Sequence, residues 1–223
     1  MSATERDGRS TRWDRHRRER RRTIIAAAIT AIEEYGPDAL TAQIAEKAGV
    51  PRTHVYRHFE DKSALDLAVA RSVANQLGQQ IRAGLATPGS PRKIIGASIS
   101  QHLSWIQTHP NLYRFLAQNS YAVDATGSRS VDDAKAAFAN ELTRLLQGYM
   151  QAFHIPTGSA ERVVIGVVGM VDSTAVWWLE HRDVSRIELT NELTEQVWLI
   201  IDHTARQLGL TLDPDAALPN VVR

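Results

Sequence analysis

The chain contains no cysteine. This absence excludes disulfide bonds, zinc sites built on thiolates and cysteine nucleophiles. It is compatible with a reducing compartment, and we expect a cytoplasmic protein. The sequence also lacks a glycine-rich phosphate loop, an HExxH zinc motif, a paired Glu-x-x-His motif and a nucleophile elbow. We therefore predict no metal, no cofactor and no catalytic residue.

Long uninterrupted apolar runs are also missing, although two segments imitate membrane signals. Three arginines at 20–22 precede the run IIAAAI, which continues into Glu33 without a cleavage-like site. The second segment, residues 163–179, is interrupted by Asp172 and falls short of the roughly 20 residues that a membrane span needs. Both segments are predicted to be helices of a soluble protein with no membrane partner.

The net charge of +1 hides an asymmetry along the chain. Residues 1–22 hold nine arginines and four acidic residues, a net charge of +5, whereas the remaining residues carry 17 basic and 21 acidic side chains, a net charge of −4. A basic arm on a mildly acidic body indicates a polyanion that one end of the molecule meets. We expect this arm, residues 1–22, to be disordered in the free protein.

Apolar residues recur at helical spacing along nearly the whole chain, and no segment alternates as a strand would. We therefore predict an all-α fold. An N-terminal three-helix helix-turn-helix domain is expected at residues 23–70. A larger helical domain follows at 71–209, and 210–223 is expected to be a loose tail. Capping signals mark three helix starts, at Thr41, at Asp61 and at Ser90, which is followed by proline.

The stretch GVPRTHVYRHFEDK, residues 49–62, has the pattern of a helix that reads DNA. Gly49 supplies the backbone angle of a tight turn, and Val50, Val55 and Phe59 can anchor the helix on its predecessor. The polar side chains then face outward as hydrogen-bond donors, and a helix of this size fits the major groove. The predicted base-reading residues are Arg52, Thr53, His54 and Arg57.

Phosphate contacts are predicted at the starts of two helices. A cation at Lys62 is mildly unfavourable in a first helical turn, unless an anion binds there together with the backbone N–H groups. Thr41 could hold a second phosphate in the same way. His54 and His58, four residues apart, could instead bind a metal, but no third ligand lies at a suggestive spacing.

Residues 23–70 resemble the DNA-binding domain of the TetR family of transcriptional regulators. The residues that carry the resemblance are Ala39-Leu40-Thr41, Ile44-Ala45, Ala48-Gly49-Val50, Val55-Tyr56-Arg57-His58-Phe59, Asp61-Lys62 and Leu65. The resemblance implies that Tyr56, His58 and Lys62 touch the DNA backbone and that the side chains before Tyr56 read bases. Residues 51–54, PRTH, depart from the family, in which a small residue or glycine often precedes a threonine.

The helix at 160–181 is apolar nearly all round, so it must be covered on every side. We expect its own domain to cover one side and a second copy of the chain to cover the other, as the resemblance also implies. The alternative is that this helix and the last one form the core of a monomer. A two-fold homodimer would favour a palindromic operator. The predicted interface residues are Val164, Val168, Val171, Leu193, Val197 and Ile201.

Residues 91–180 are rich in aromatic side chains, and the resemblance places a small-molecule effector in this ligand-binding and dimerisation domain. An apolar pocket with a few polar groups fits a drug-like, aromatic or acyl ligand. The predicted pocket residues are His102, Trp105, Tyr113, Phe115, Phe138, Tyr149, Asp172 and Trp177.

These patterns together predict a sequence-specific transcriptional regulator that binds a double-stranded DNA operator. The expected form is a repressor that a small apolar or aromatic effector releases from a palindromic operator. Two alternatives remain at this stage. One is a small all-helical enzyme with a basic arm, and the other is a protein that coats DNA without sequence preference.

Overall fold

A computed structural model describes the backbone of residues 3–119 and 130–218, and the side chains of residues 15–119 and 135–218. Over these residues the chain forms helices and no strand, which confirms the predicted all-α fold. The helices are α1 (Ala3–Tyr35), α2 (Thr41–Lys47), α3 (Arg52–Tyr56), α4 (Lys62–Leu85), α5 (Pro91–Thr108), α6 (Pro110–Gln118), α7 (Ser130–Ala152), α8 (Ala160–His181) and α9 (Arg186–Gln207).

The chain divides into two compact units. The first unit combines Met1–Ala74 with Asn111–Asp132, and the second combines Asn75–Pro110 with Asp133–Arg223. The boundary predicted at residue 70 therefore falls inside α4, a helix to which both units contribute residues. The segment 111–132, predicted as part of the second domain, belongs to the first unit.

The first helix is longer than expected. The predicted disordered arm, residues 1–22, is helical from Ala3 onward and runs without a break into the apolar part of α1. The physical reason is that this segment has no proline and contains nine arginines, a residue type that favours helices. The structure thus includes the described residues 3–22 of the predicted disordered arm in α1.

The core of the first unit lies where α1, α2 and α3 meet. Alanines on α1 are fully buried, which lets the short helices approach it closely. Asn111 fixes α6 to the end of α1, because its amide donates to the carbonyl of Glu33 at 2.9 Å. The buried apolar residues of these helices include Ala28, Ala31, Ile32, Ile44, Ala45, Val55, Phe59 and Leu65.

The second unit is built on the packing of α5, α8 and α9. Its core includes Leu103, Ile106, Trp178 and Leu193, which are nearly inaccessible to solvent. The end of α4 crosses α5 closely at Gly84, where an added Cβ would lie 2.5 Å from the Cα of Ser98. Glycine is therefore required at this crossing.

Local capping signals set several helix starts as predicted. Asp61 accepts the N–H of Ala64 at 2.7 Å before α4, and Ser90 accepts the N–H of Lys93 at 3.4 Å before α5. Thr41 behaves differently, because the N-cap of α2 is Leu40, whose N–H donates to the side chain of Gln43 at 2.7 Å. Thr41 is the first helical residue of α2 and is buried.

Among the described residues, α8 has the length and mean hydropathy that would allow a helix to cross a membrane. The same length and composition occur in apolar helices that pack against other protein chains. Asp172 lies within this helix and forms an ion pair with Lys135 of α7 at 3.0 Å.

Candidate nucleic-acid interface

The turn between α2 and α3 depends on Gly49. Its φ of +64° lies in the left-handed region, and the N–H of the next residue, Val50, returns to the carbonyl of Ala45 at 3.0 Å. α3 then spans only Arg52–Tyr56, shorter than the sequence suggests, and continues as hydrogen-bonded turns to Phe59. The buried side chains of Val55 and Phe59 fasten this segment to the unit.

The four predicted base-reading side chains share the exposed surface of α3 and the residue after it. Arg52, Thr53, His54 and Arg57 are all solvent-accessible. The Nη1 of Arg57 lies 3.0 Å from the Nε2 of His54. A guanidinium can only donate, so this nitrogen of His54 accepts and its proton sits on Nδ1. The pair presents donors from both side chains to the same side of the helix.

Tyr56 links the two helices of the motif. Its hydroxyl lies 3.2 Å from the Oγ1 of Thr41 and accepts from the Nη2 of Arg52 at 3.5 Å. Hydrogen bonding to Thr41, followed by Arg52, lowers the pKa of Tyr56. Two predicted phosphate-binding residues are therefore adjacent, at the edge of the surface that the base-reading residues occupy.

Lys62 has a partner within its own helix. Its Nζ forms an ion pair with the Oδ1 of Asp66, one turn later in α4. Asp66 therefore balances this cation in the free protein, and a phosphate contact at Lys62 stays a prediction. Lys62 remains half-buried beside the start of α4, close enough to Tyr56 to help lower the pKa of its hydroxyl.

His58 lies between α3 and α1. Its carbonyl accepts a hydrogen bond from the Nη1 of Arg21, whose guanidinium also stacks over the ring of Phe59 at 4.1 Å. Burial, followed by the charge of Arg17, lowers the pKa of His58. His54 and His58 do not form a metal site with a third ligand among the described residues, which hold no cluster of three or more such groups.

Sequence reasoning missed the arginines of α1 that adjoin α3. The positive charges of Arg17, Arg20 and Arg21 all lower the pKa of His58, and Arg21 also donates a hydrogen bond to its carbonyl. The available signal was their spacing, since 17 and 21 continue the 3.6-residue stripe that includes the buried Ile24 and Ala28. Treating residues 1–22 as a disordered arm concealed this periodicity.

In the second unit, two predicted effector-binding residues converge with a third that was not predicted. Asp172 of α8 forms an ion pair with Lys135 of α7, and the charges of both influence the pKa of His102 in α5. Burial lowers the pKa of His102 to about 4. The negative charge of Asp172 opposes this shift, and the positive charge of Lys135 adds to it. His102 is therefore neutral at physiological pH and buried, whereas the side chains of Lys135 and Asp172 are 44% and 32% exposed.

The predicted aromatic pocket residues are not gathered in one place. Trp105 is buried in the second unit, where Phe138 and Tyr149 are half-buried, whereas Tyr113 and Phe115 are buried residues of the first unit. Trp177 is 49% exposed and stacks on His181, with ring centroids 4.1 Å apart. Its assignment to an interior pocket is wrong, because the next residue of α8, Trp178, is the one that points into the core.

A polar cleft of about 430 Å³ lies between α5 and α9, and sequence reasoning did not anticipate it. Its lining includes Arg92, which forms ion pairs with Glu195 at 2.9 Å and Asp215 at 3.5 Å. The charge of Arg92 is thus balanced within the unit. None of the eight predicted pocket residues lines this cleft.

The predicted interface residues divide into buried and accessible sets. Val164, Leu193 and Val197 are buried inside the second unit and cannot form a surface, so their assignment to an interface is wrong. Val168, Val171 and Ile201 are half-buried. The large apolar side chains that α8 and α9 expose are instead Ile165, Val176, Trp177, Ile187 and Leu199.

Two family models match successive parts of the chain. Residues 24–69 match the family model described as "Bacterial regulatory proteins, tetR family", and residues 80–210 match the "Tetracyclin repressor-like, C-terminal domain". An uncharacterised HTH-type transcriptional regulator of Mycobacterium tuberculosis is 30% identical over 193 residues, which cover 86% of this chain and 81% of the relative. The HTH-type transcriptional activator FasR of Mycolicibacterium smegmatis is 24% identical, with coverage of 84% and 85%.

Solved structures share the fold. A tetR-family transcriptional regulator from Streptomyces coelicolor superposes with a TM-score of 0.69 at 21% identity, covering 86% of each chain. The transcriptional regulator FadR from Bacillus subtilis, in complex with stearoyl-CoA, gives a TM-score of 0.64 at 20% identity and covers 78% of this chain and 96% of its own. These likenesses confirm the predicted helical architecture.

Proposed function

Because the chain belongs to the TetR family of transcriptional regulators, we propose that α3 reads a specific operator in the major groove of double-stranded DNA. The observation that carries the proposal is the polar surface of Arg52, Thr53, His54 and Arg57, held in place by the buried Val55 and by Phe59. Guanidinium groups donate in pairs to guanine, and histidine and threonine side chains complete a set that can discriminate base edges.

The proposed backbone contacts flank this surface. The exposed hydroxyl of Tyr56 lies at one edge, beside the buried Thr41, and His58 and Lys62 offer nitrogen donors beyond the C-terminal end of α3. Phosphate contacts of this kind fix the register of a reading helix on the duplex without selecting a sequence. As a DNA-binding member of a family of bacterial regulatory proteins, the chain is proposed to act in the cytoplasm, and the proposal assigns it no catalytic activity.

A homodimer is the proposed form that binds DNA. The exposed apolar residues of α8 and α9, together with Gly166 and Gly169, offer a surface on which a second copy can pack closely. An added Cβ at either glycine meets no atom of the chain within 4 Å, so these positions are open to another helix. Two copies related by a two-fold axis present two reading helices, which suits a palindromic operator.

The proposed effector is a small molecule with a large apolar or aromatic part, bound in the second unit. Support comes from the buried His102 and the partly exposed ion pair of Asp172 with Lys135, three polar side chains of the second unit that can orient the polar end of a ligand. The fold neighbour FadR was crystallised with stearoyl-CoA, so acyl compounds belong to the class to be tested. An effector that prefers the dimer with its reading helices spread apart would release DNA, and α4, which both units share, would transmit the change.

Replacement of Arg52 tests the proposal. Arg52→Ala is expected to weaken binding to the preferred genomic fragment by roughly 1–3 kcal/mol and to relax the base preference, because a guanidinium can pair with guanine. The matched control is Arg144→Ala, which removes an exposed arginine from α7, outside the proposed DNA and dimer surfaces. Fluorescence anisotropy on preferred and random duplexes, with and without a long-chain acyl-CoA, measures both effects.

If the wild-type protein binds all fragments equally, the reading of a specific operator is wrong and a DNA-coating protein is favoured. If the wild type has a preference that Arg52→Ala leaves intact, the operator is read by other side chains.

A further inference from the structure

The face of α1 that packs on the helix-turn-helix changes from apolar to cationic along its length. Ile24 and Ala28 are buried against the first unit. One turn before Ile24 the same face carries Arg21, which is half-buried, and one turn earlier again it carries Arg17, which is exposed. Because residues three or four apart lie on one side of a helix, the packing stripe continues toward the N-terminus of α1 as a row of arginines.

Arg21 holds this part of α1 in a defined place relative to α3. Its Nη1 donates to the carbonyl of His58, just beyond the C-terminal end of α3, and its guanidinium lies 4.1 Å from the centroid of Phe59. Phe59 is almost fully buried, so the ring is a fixed support. A cation–π contact and a charge-assisted hydrogen bond from one side chain make the junction of α1 and α3 rigid.

The arginines near this junction repel one another. Burial, followed by the charge of Arg17, lowers the pKa of Arg21, and Arg17, Arg20 and Arg21 together oppose a proton on His58. The Nδ1 of His58 is buried without a hydrogen-bond partner. Among the described residues no carboxylate pairs with Arg17 or Arg20, and the nearby Glu19 lies 4.0 Å from His16. A cluster of like charges of this kind is unfavourable in the free protein and favourable once an anion is bound.

We propose that Arg17 and Arg20 bind phosphates of the DNA backbone immediately beside the groove segment that α3 reads, so that α1 is a second, helical contact with the duplex. This inference rests on the proposed function, because it takes the occupant of the cluster to be the same operator. The rigid junction at Arg21 gives these two side chains a fixed distance from α3. They therefore add affinity without selecting a base sequence.

The test is the salt dependence of DNA binding by the full chain. The double variant Arg17→Ala/Arg20→Ala is compared with Arg22→Ala, a matched control that removes an exposed arginine of the same helix whose charge does not contribute to the lowered pKa of His58. Each phosphate contact contributes about 0.9 to the slope of log K against log salt concentration. The double variant is expected to lower the slope by about 1.8 for each protomer bound, equally on preferred and random duplexes, and Arg22→Ala is expected to leave it unchanged.

A slope of the double variant equal to that of the wild type, or to that of Arg22→Ala, would overturn the inference. Both arginines are exposed, so circular dichroism is expected to give the same melting temperature for all three proteins and to exclude misfolding as the cause. Failure of the proposed function is seen separately, as equal affinity of the wild type for every sequence, whereas the backbone contact is measured on random duplex alone.

Discussion

Lys62 and Asp66 form an ion pair across the first turn of α4. The carboxylate is partly buried, which raises the pKa of Asp66, and the ammonium of Lys62 opposes that shift. The lysine that the TetR resemblance assigns to a DNA phosphate is therefore held by an internal carboxylate in the free protein. Binding of DNA at this position requires Lys62 to exchange or share its partner.

The first prediction concerns this exchange. Asp66→Asn is expected to raise the affinity for preferred and random duplexes alike, because it releases Lys62 and removes a negative charge near the backbone. Lys62→Ala is expected to lower the salt slope by about 0.9 per protomer. Glu60→Gln, which removes a neighbouring exposed acid outside the ion pair, is the control and is expected to have the smaller effect. Equal effects of the two acid replacements would mean that the pair does not regulate Lys62.

The second prediction concerns the homodimer. Ile165 is 59% exposed on α8, whereas its neighbour Val164 is buried in the second unit. Ile165→Glu is expected to give a monomer in multi-angle light scattering with its helical content retained, because a charge would be buried at the interface without a partner. Val164→Ala is expected to remain a dimer but to lower the free energy of unfolding by about 1–3 kcal/mol through loss of packing.

A dimeric Ile165→Glu protein would place the subunit interface on another surface. Leu199→Glu, on the exposed side of α9, then tests whether α9 alone forms the contact.

The third prediction concerns the pH dependence of stability through His102. Burial lowers the pKa of His102 from its ordinary value of 6.5 to about 4. The charge of Asp172 opposes this shift, and that of Lys135 adds to it. Below pH 6.5 the unfolded chain takes up a proton that the folded chain does not, so the free energy of unfolding falls as the pH drops toward 4. The loss amounts to about 3 kcal/mol over this window, because each pH unit between the two pKa values costs about 1.36 kcal/mol.

Chemical denaturation of the wild type and of His102→Leu between about pH 7.5 and 4, the window that this linkage sets, measures the effect. Other groups titrate in both proteins, so the difference between the two curves isolates His102. The variant is expected to lose less stability than the wild type as the pH falls. Parallel curves would show that His102 takes up its proton equally well in the folded state.

Several features of the fold were predictable because their causes are local in the chain. Asp61 and Ser90 cap their helices as predicted, since a capping side chain reaches only the N–H groups of the next turn. Val55 and Phe59 were identified as anchors because they are four residues apart, which places them on one side of a helix. The family resemblance rests on the same short-range spacing.

The candidate sites were less predictable, because neighbouring residues of a helix point in directions about 100° apart. Trp177 and Trp178 are the same residue type, and Val164 and Ile165 are both branched apolar residues, yet one member of each pair is exposed and the other is buried. The apolar pattern of α8 extends around the whole helix, so it does not indicate which side packs against other helices of the same chain. Only the packing against α5 and α9 decides it.

The order of residues along the chain was enough to establish the helical class, two of the caps and the polar surface of α3, because spacing along a helix and hydrogen bonds within one turn are encoded by residues close together. It took the folded chain to show that Arg21 supports α3 and that Lys135 joins His102 and Asp172. Arg21 lies 37 positions before His58, and Lys135 lies 37 positions before Asp172. Helix packing brings these charges together, and no short-range sequence pattern predicts that contact.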